Sequence, residues 1–325
     1  MGTARKLCGR RRIDGVGRPK HIDFHTGTHC ASTAAGKNYG IAPLANVYGM
    51  KVLPGGSEGV IVRALDRVYD LVKRKKVKGP TVVSMSLGGK CRDADGNEGP
   101  GTKYCAFETH YARAIRDLRD IGVLTAIAAG NNGEDACEMA PGASRDAVTV
   151  GATNINDRIT FFSDYGNCVD VMAPGENVAG AASSREYGDE RFLDDDVKEY
   201  SVLLGTSQAT PLVAGSLLLY MQVLKNAEDA LHALLNNAET IDSRSKSSCP
   251  SNDLLLRSPG TTNKKDLDTS DKEHPCRISG DGDDWGGGDR PEGSDLCGSQ
   301  PVSSRRRVDG VEDDAMIQHE RAVKF

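Results

Sequence analysis

The sequence predicts an α/β fold in which a parallel β-sheet is flanked by helices. Short apolar runs rich in β-branched residues alternate along the chain with longer segments of helical periodicity. The strand-like runs are Thr81–Gly89, Gly122–Asn131 and Ala147–Ala152, and the helical segments are Val60–Lys75 and Phe107–Ile121. Strands that alternate with helices of this length form parallel sheets, whose functional sites lie at the carboxyl ends of the strands.

Composition divides the chain into three parts. A basic leader over residues 1–12 has no apolar core of the kind that a signal peptide needs. The α/β domain is expected over residues 13–242. Residues 243–325 are rich in Ser, Asp and Gly, and such a low-complexity acidic and polar tail is expected to be disordered because it has little apolar surface to bury. Within it, residues 250–256 could form a last short strand or turn.

Charge and cysteine content exclude several functional classes. The formal net charge is −5 and the basic residues are scattered, so a nucleic-acid partner is not expected. The sequence has no run of about eighteen apolar residues, so a membrane span is not expected either. The nine cysteines form no C-x-x-C pair, which argues against a zinc site, and their number suggests an oxidising compartment.

The segment Leu204–Gly215 has the features of a mount for a nucleophile. Gly205 permits close approach of the backbone, and Ser207 is expected near the N-terminus of an apolar helix. The helix dipole there favours developing negative charge. Pro211 is compatible with a helix if it falls in the first turn, where N–H groups have no partner inside the helix.

The residues Gly-Thr-Ser-x-Ala-Thr-Pro-x-Val-Ala-Gly of this segment resemble the serine signature of the subtilisin-like proteases, and of the proteinase K-like group in particular. The resemblance covers roughly residues 13–240. It implies a subtilisin-like fold and a serine-type endopeptidase in which Ser207 is the nucleophile. It also implies a peptide or protein substrate, a secreted location and a monomer.

Two further motifs resemble parts of the same family. The strand ending in Ala-Ala-Gly-Asn is similar to the family segment whose asparagine donates to the oxyanion, so Asn131 is the candidate donor. The strand ending in Ser86, Leu87 and Gly88 is similar to the edge that binds an extended substrate through main-chain hydrogen bonds.

The histidine motif departs from the family pattern. When residues 25–36 are aligned with the family's His-Gly-Thr-His motif without a gap, Thr26 occupies the position of the general base. A threonine hydroxyl is not basic enough for that role near neutral pH. A shift of one residue would let His25 serve instead, whereas His29 matches the motif's second histidine, which is not the base.

The triad aspartate is assigned by resemblance to Asp14, in Ile-Asp-Gly; the other interpretation is an ordinary Asp-Gly turn. The segment that starts at His21 resembles the one following the family's aspartate, which favours Asp14 over Asp23. The apolar strand that precedes this aspartate in the family is missing. Two alternatives to an active protease therefore remain: a catalytically impaired domain that binds peptides, and an incomplete gene product.

No cofactor or metal site is expected. The loop over residues 93–99 begins like a calcium loop but lacks glycine at its sixth place and a bidentate glutamate at its last. A structural calcium ion is possible but cannot be assigned to residues. A surface loop is the simpler interpretation, and a disulfide between Cys91 and Cys105 could close it.

Overall fold

A computed structural model describes residues 26–53, 57–91, 110–181, 200–241 and 254–256. These residues belong to the first of two units, residues 1–272 and 273–325, into which the chain divides. The helices are α1 (Thr26–Ala35), α2 (Glu58–Lys73), α3 (His110–Asp120), α4 (Thr206–Leu224) and α5 (Ala227–Asn236). The strands are β1 (Thr81–Met85), β2 (Gly89–Lys90), β3 (Val123–Ala128), β4 (Met139–Ala140), β5 (Val148–Thr153), β6 (Val171–Pro174), β7 (Val178–Ala181), β8 (Tyr200–Leu203), β9 (Glu239–Thr240) and β10 (Leu254–Leu255).

The main sheet has the order β1-β3-β5-β6-β10-β9 and is parallel except for β9, which pairs antiparallel with β10. This confirms the predicted α/β class. Two small antiparallel pairs, β2 with β4 and β7 with β8, lie outside this sheet. The last strand, β10, falls within residues 250–256, where the sequence allowed a short strand or turn.

Every residue of the central strand β3 is buried, because helices cover the sheet on both faces. Leu124 and Ala126 join a core cluster with α4 and α5, whereas Val123 and Ile127 join a second cluster with α2 and α3. This alternation follows from the two-residue period of a strand. Burial of one such side chain contributes roughly 1.5–3 kcal/mol.

The helix predictions are confirmed, with small changes at their ends. Helix α2 begins and ends two residues before the predicted Val60–Lys75, and α3 covers the described part of Phe107–Ile121 except its last residue. Charge fits the helix dipole in α2, with Glu58 in its first turn and Lys73 in its last.

The apolar pattern within residues 46–53 predicts a buried strand, and this prediction is wrong. This segment has no strand assignment, and the side chains of Val47 and Tyr48 are 56% and 62% exposed. The apolar pattern alone could not settle the matter, because a strand also needs a neighbour to pair with. None of the described strands pairs with this segment.

None of the helices in the described ranges has both the length and the apolar character needed to cross a membrane.

Candidate active site

Ser207 lies in the first turn of α4, with Gly205 as the residue before the helix. Gly205 has φ 145°, a conformation that favours glycine. A Cβ at this position would lie 2.9 Å from Oε1 of Gln208 and 3.4 Å from Nδ2 of Asn131. The glycine therefore allows the end of β3 to approach the start of α4, which brings the predicted nucleophile and the predicted oxyanion donor to one place.

Thr206 fixes the orientation of the Asn131 side chain. The backbone N–H of Thr206 donates to Oδ1 of Asn131 over 2.8 Å, and the Thr206 hydroxyl donates to the same oxygen over 3.0 Å. Since an N–H requires an acceptor, this side of the amide must be its oxygen. The NH₂ group is then on the other side of an exposed asparagine, available to donate.

Pro211 leaves the carbonyl of Ser207 without its helical partner. Helix α4 begins at Thr206, so Pro211 is its sixth residue and lies beyond the first turn, contrary to the expectation from sequence. The N–H of residue 211 would normally bond the carbonyl of residue 207, and proline has none. The Ser207 carbonyl instead accepts from the Ser86 hydroxyl over 2.8 Å and from the Cys30 thiol over 3.1 Å.

These two donors join three elements at the nucleophile. Cys30 belongs to α1, and Ser86 follows β1 directly. The Cys30 thiol also lies 3.3 Å from the Ser86 hydroxyl, it is not disulfide-bonded, and burial raises its pKa, so it stays a neutral donor. The remaining predicted edge residues follow Ser86: Leu87 is half-buried, and Gly88 is exposed.

Helix α1 starts beside this site. Thr26 is its first residue and Cys30 lies one turn later, so both side chains are on the same helix face. Because Cys30 contacts the Ser207 carbonyl, this face is the one directed at α4. Position 26 is therefore on the side of the nucleophile. His25 and Asp14 lie outside the described residues.

His29 has a different environment from a general base. Its side chain is fully buried, and Nε2 lies 3.0 Å from the carbonyl of Val178 in β7, to which it donates. Burial lowers its pKa, so the ring is neutral at physiological pH. Gly180 permits this contact, because a Cβ there would lie 2.6 Å from Nε2. His29 thus attaches α1 to the β7–β8 pair.

The loop that follows β3 carries Asn131 and is held by a buried carboxylate. Asp164 is fully buried, and its Oδ1 accepts from the N–H groups of Asn132 and Glu134 over 2.8 and 3.0 Å. Burial raises the pKa of Asp164 to about 6, an effect that these two hydrogen bonds only partly offset. The loop continues into a short 3-10 turn at Ala136–Glu138, whose Cys137 forms a disulfide with Cys168.

Sequence reasoning missed Thr206, Cys30 and Asp164 as parts of the site. The signal for Cys30 was weak, because a thiol shows its partner only when the fold is known. The signal for the orphaned Ser207 carbonyl was present in the sequence: a proline four residues after the serine, within a helix. Asp164 lies in a Phe-Ser-Asp-Tyr-Gly segment over residues 162–166, but nothing in the local sequence connects it to Asn131.

The assembled groups fit nucleophilic chemistry on a carbonyl. A serine at a helix N-terminus has unpaired N–H groups beside it, and a neutral amide donor stands next to it. Within the described ranges, no group of three His, Cys, Asp or Glu side chains is placed to hold a metal ion. The loop over residues 93–99 and Cys105 lie outside the described residues, while Cys91 is disulfide-bonded.

Comparison with known proteins gives a consistent result. A sequence model of the subtilase family matches residues 19–271 of this chain. The subtilisin-like serine protease Pen ch 18 of Penicillium rubens is 34% identical over 217 residues, in a match that covers 64% of this chain and 38% of that protein. The subtilisin-like serine protease Pen c 2 of Penicillium citrinum is 34% identical over 239 residues, covering 70% of this chain and 44% of that protein. The chain thus matches about two fifths of the length of these relatives.

A solved structure gives the same comparison at the level of the fold. A cold adapted subtilisin-like serine proteinase matches with a TM-score of 0.58 and 30% identity. The match covers 73% of this chain and 75% of the other one.

Proposed function

The chain belongs to the subtilase family, and on this premise we propose that it is a serine endopeptidase that cleaves peptide bonds through an acyl-enzyme on Ser207. The observation that carries the proposal is the bond network around Asn131. Thr206, the residue just before the nucleophile, holds the amide oxygen of Asn131, so that the amide NH₂ is available beside Ser207. An amide held in this way needs no reorganisation when charge develops in the transition state.

In the proposed reaction, Ser207 Oγ attacks the peptide carbonyl while a histidine takes the hydroxyl proton. The oxyanion accepts hydrogen bonds from the Asn131 NH₂ and the Ser207 N–H. When the C–N bond breaks, the histidine gives its proton to the leaving amine. Water then attacks the acyl-enzyme by the same route and releases the acid.

We assign the base to His25 and its orienting carboxylate to Asp14, as the sequence motifs indicate. His25 directly precedes Thr26, which stands on the α1 face that is directed at α4. The histidine is therefore one residue away from the helical position on that face.

The substrate is a peptide or protein, bound in extended form along Ser86, Leu87 and Gly88 by main-chain hydrogen bonds. The reaction needs no cofactor, because the triad supplies the proton transfers. We further propose that the protein acts as a monomer outside the cell, where the Cys137–Cys168 disulfide is stable.

A fluorophosphonate probe tests the proposal, since an activated serine oxygen attacks phosphorus and fluoride leaves. Labelling is expected for the wild-type protein and not for Ser207→Ala. Loss of labelling in His25→Ala would support His25 as the base. Ser57→Ala, at an exposed serine next to α2, is the matched control and should label like the wild type.

A folded wild-type protein that neither labels nor cleaves a chromogenic peptide would overturn the endopeptidase proposal. Peptide binding without labelling would then identify the chain as a catalytically impaired peptide-binding domain.

A further inference from the structure

The segment around Asp164 runs along the loop that carries Asn131. Four backbone hydrogen bonds join them, at 2.8–3.0 Å: Gly133 N to Phe162 O, Asp164 N to Gly130 O, Tyr165 N to Glu134 O, and Ala136 N to Tyr165 O. Contact on this scale positions the loop as a whole. It does not by itself decide the placement of one residue within the loop.

The two sides of Asn131 are both bonded to Asp164. On one side, the Asp164 N–H donates to the carbonyl of Gly130 over 3.0 Å. On the other side, the Asp164 carboxylate accepts from the N–H of Asn132 over 2.8 Å. A third bond, from the N–H of Glu134 over 3.0 Å, extends this support along the loop. The peptide units that flank Asn131 are thus both fixed by one residue.

The second carboxylate oxygen, Oδ2, is buried and has no hydrogen-bond partner among the described residues. It lies against Gly130, where a Cβ would be only 2.0 Å from it. A buried carboxylate with an unpaired oxygen is costly to a fold. Gly130, with φ 121°, is the residue type that leaves room for it.

We propose that Asp164 is the positioning residue for the oxyanion donor: it holds the peptide units on both sides of Asn131, and so fixes the Asn131 amide beside Ser207. This inference rests on the proposed function for its catalytic consequence. The structural part, that Asp164 orders the loop, can be tested whether or not the chain is an active protease.

The surroundings of Asp164 make the carboxylate replaceable by an amide. Glu134 and Tyr165 are its neighbouring titratable groups, and Glu134 is itself paired with Lys90. The bonds from Asn132 and Glu134 require an acceptor and not a negative charge. Asparagine at position 164 retains Oδ1 as that acceptor, whereas alanine leaves both N–H groups without one.

The first experiment compares Asp164→Ala and Asp164→Asn in steady-state peptide cleavage. For the alanine variant we expect kcat to fall about tenfold or more, because a misplaced oxyanion donor weakens transition-state stabilisation, while KM changes little. The asparagine variant should recover most of kcat. Asp170→Ala is the control: it removes another buried carboxylate, which accepts from the Thr149 N–H over 2.7 Å, and should leave kcat unchanged.

The second experiment measures hydrogen exchange in the peptide that contains residues 131–135. Asp164→Ala should exchange faster there than the wild type, and Asp164→Asn should not. This result would support the loop role even if the wild-type protein proved inactive, in which case only the endopeptidase proposal would fail.

The proposal is overturned by any of three results. These are unchanged exchange and kcat in Asp164→Ala, failure of Asp164→Asn to recover either quantity although it is folded, or an equal fall in kcat in the Asp170→Ala control.

Discussion

At the level of single residues, His25 is the proposed base, but it is Thr26, the next residue, that lies on the face of α1 directed at Ser207. Thr26 and Cys30 share that face, and Cys30 bonds the Ser207 carbonyl. A histidine at position 26 would thus begin one helical turn away from a residue in contact with the nucleophile. A histidine at position 25 precedes the helix, so the geometry of the helix does not direct its side chain toward Ser207.

Moving the histidine by one residue tests this geometry. In the double variant His25→Ala, Thr26→His, we expect fluorophosphonate labelling at least as fast as in the wild type. His25→Ala alone should lose labelling. If the double variant labels no faster than His25→Ala, position 26 is not the place of the base.

Ser86 is predicted to support the nucleophile as well as the substrate. Its hydroxyl donates to the Ser207 carbonyl, which has no helical partner. Ser86→Ala should therefore lower the free energy of unfolding by about 1 kcal/mol and slow labelling of Ser207. Urea unfolding and the labelling rate measure the two effects. Ser84→Ala, at an exposed position of β1 two residues before Ser86, should change neither.

At the level of elements, the attachment of α1 to the β7–β8 pair is expected to be sensitive to acid. His29 is buried between them, and its Nδ1 has no hydrogen-bond partner among the described residues. Burial lowers its pKa from the ordinary value of 6.5, so the folded protein binds this proton less tightly than the unfolded chain. Stability is therefore lost as the pH falls below about 6.5 and down through the lowered pKa.

Thermal unfolding between pH 7.5 and 4.5 measures this loss. We expect the part of the decline due to His29 to disappear in His29→Gln, which keeps a donor but cannot gain a proton. His110→Gln, at an exposed histidine of α3, is the control and should decline like the wild type. Parallel curves for all three proteins would contradict the assignment to His29.

At the level of the whole molecule, the Cys137–Cys168 disulfide joins the 3-10 turn after the Asn131 loop to the segment that leads into β6. The two cysteines are 31 residues apart. A cross-link over a loop of that length stabilises the folded state by roughly 3–4 kcal/mol in the chain-entropy model. The double variant Cys137→Ala, Cys168→Ala should lose about this much in urea unfolding. The reducing agent dithiothreitol should lower the wild type's stability by more than the variant's, because the variant keeps the disulfide of Cys91.

The α/β class and most helices could be predicted because their signals are local and repeated along the chain. Asn131 and Ser207 could be nominated for the same reason, since each lies in a long motif. The support around them could not be predicted. The bond from Ser86 to Ser207 spans 121 residues, and the one from Asn132 to Asp164 spans 32. Such contacts depend on which strands become neighbours. The wrong prediction of a strand within residues 46–53 has the same origin, because the sequence of a segment does not specify whether a neighbouring strand is there to pair with it.

Pro211 has a practical consequence for attempts to make this protein more robust. Helix propensity alone would favour the replacement of Pro211 before that of any other residue in α4, because proline is about 3 kcal/mol less favourable than alanine inside a helix. An alanine there would offer its N–H to the Ser207 carbonyl and compete with Ser86 and Cys30 for it. The nucleophile would then be tied to its own helix and less firmly to α1 and β1. Thermostability designs should therefore leave position 211 unchanged, since a more stable helix would weaken the hydrogen bonds that hold Ser207 to α1 and to the end of β1.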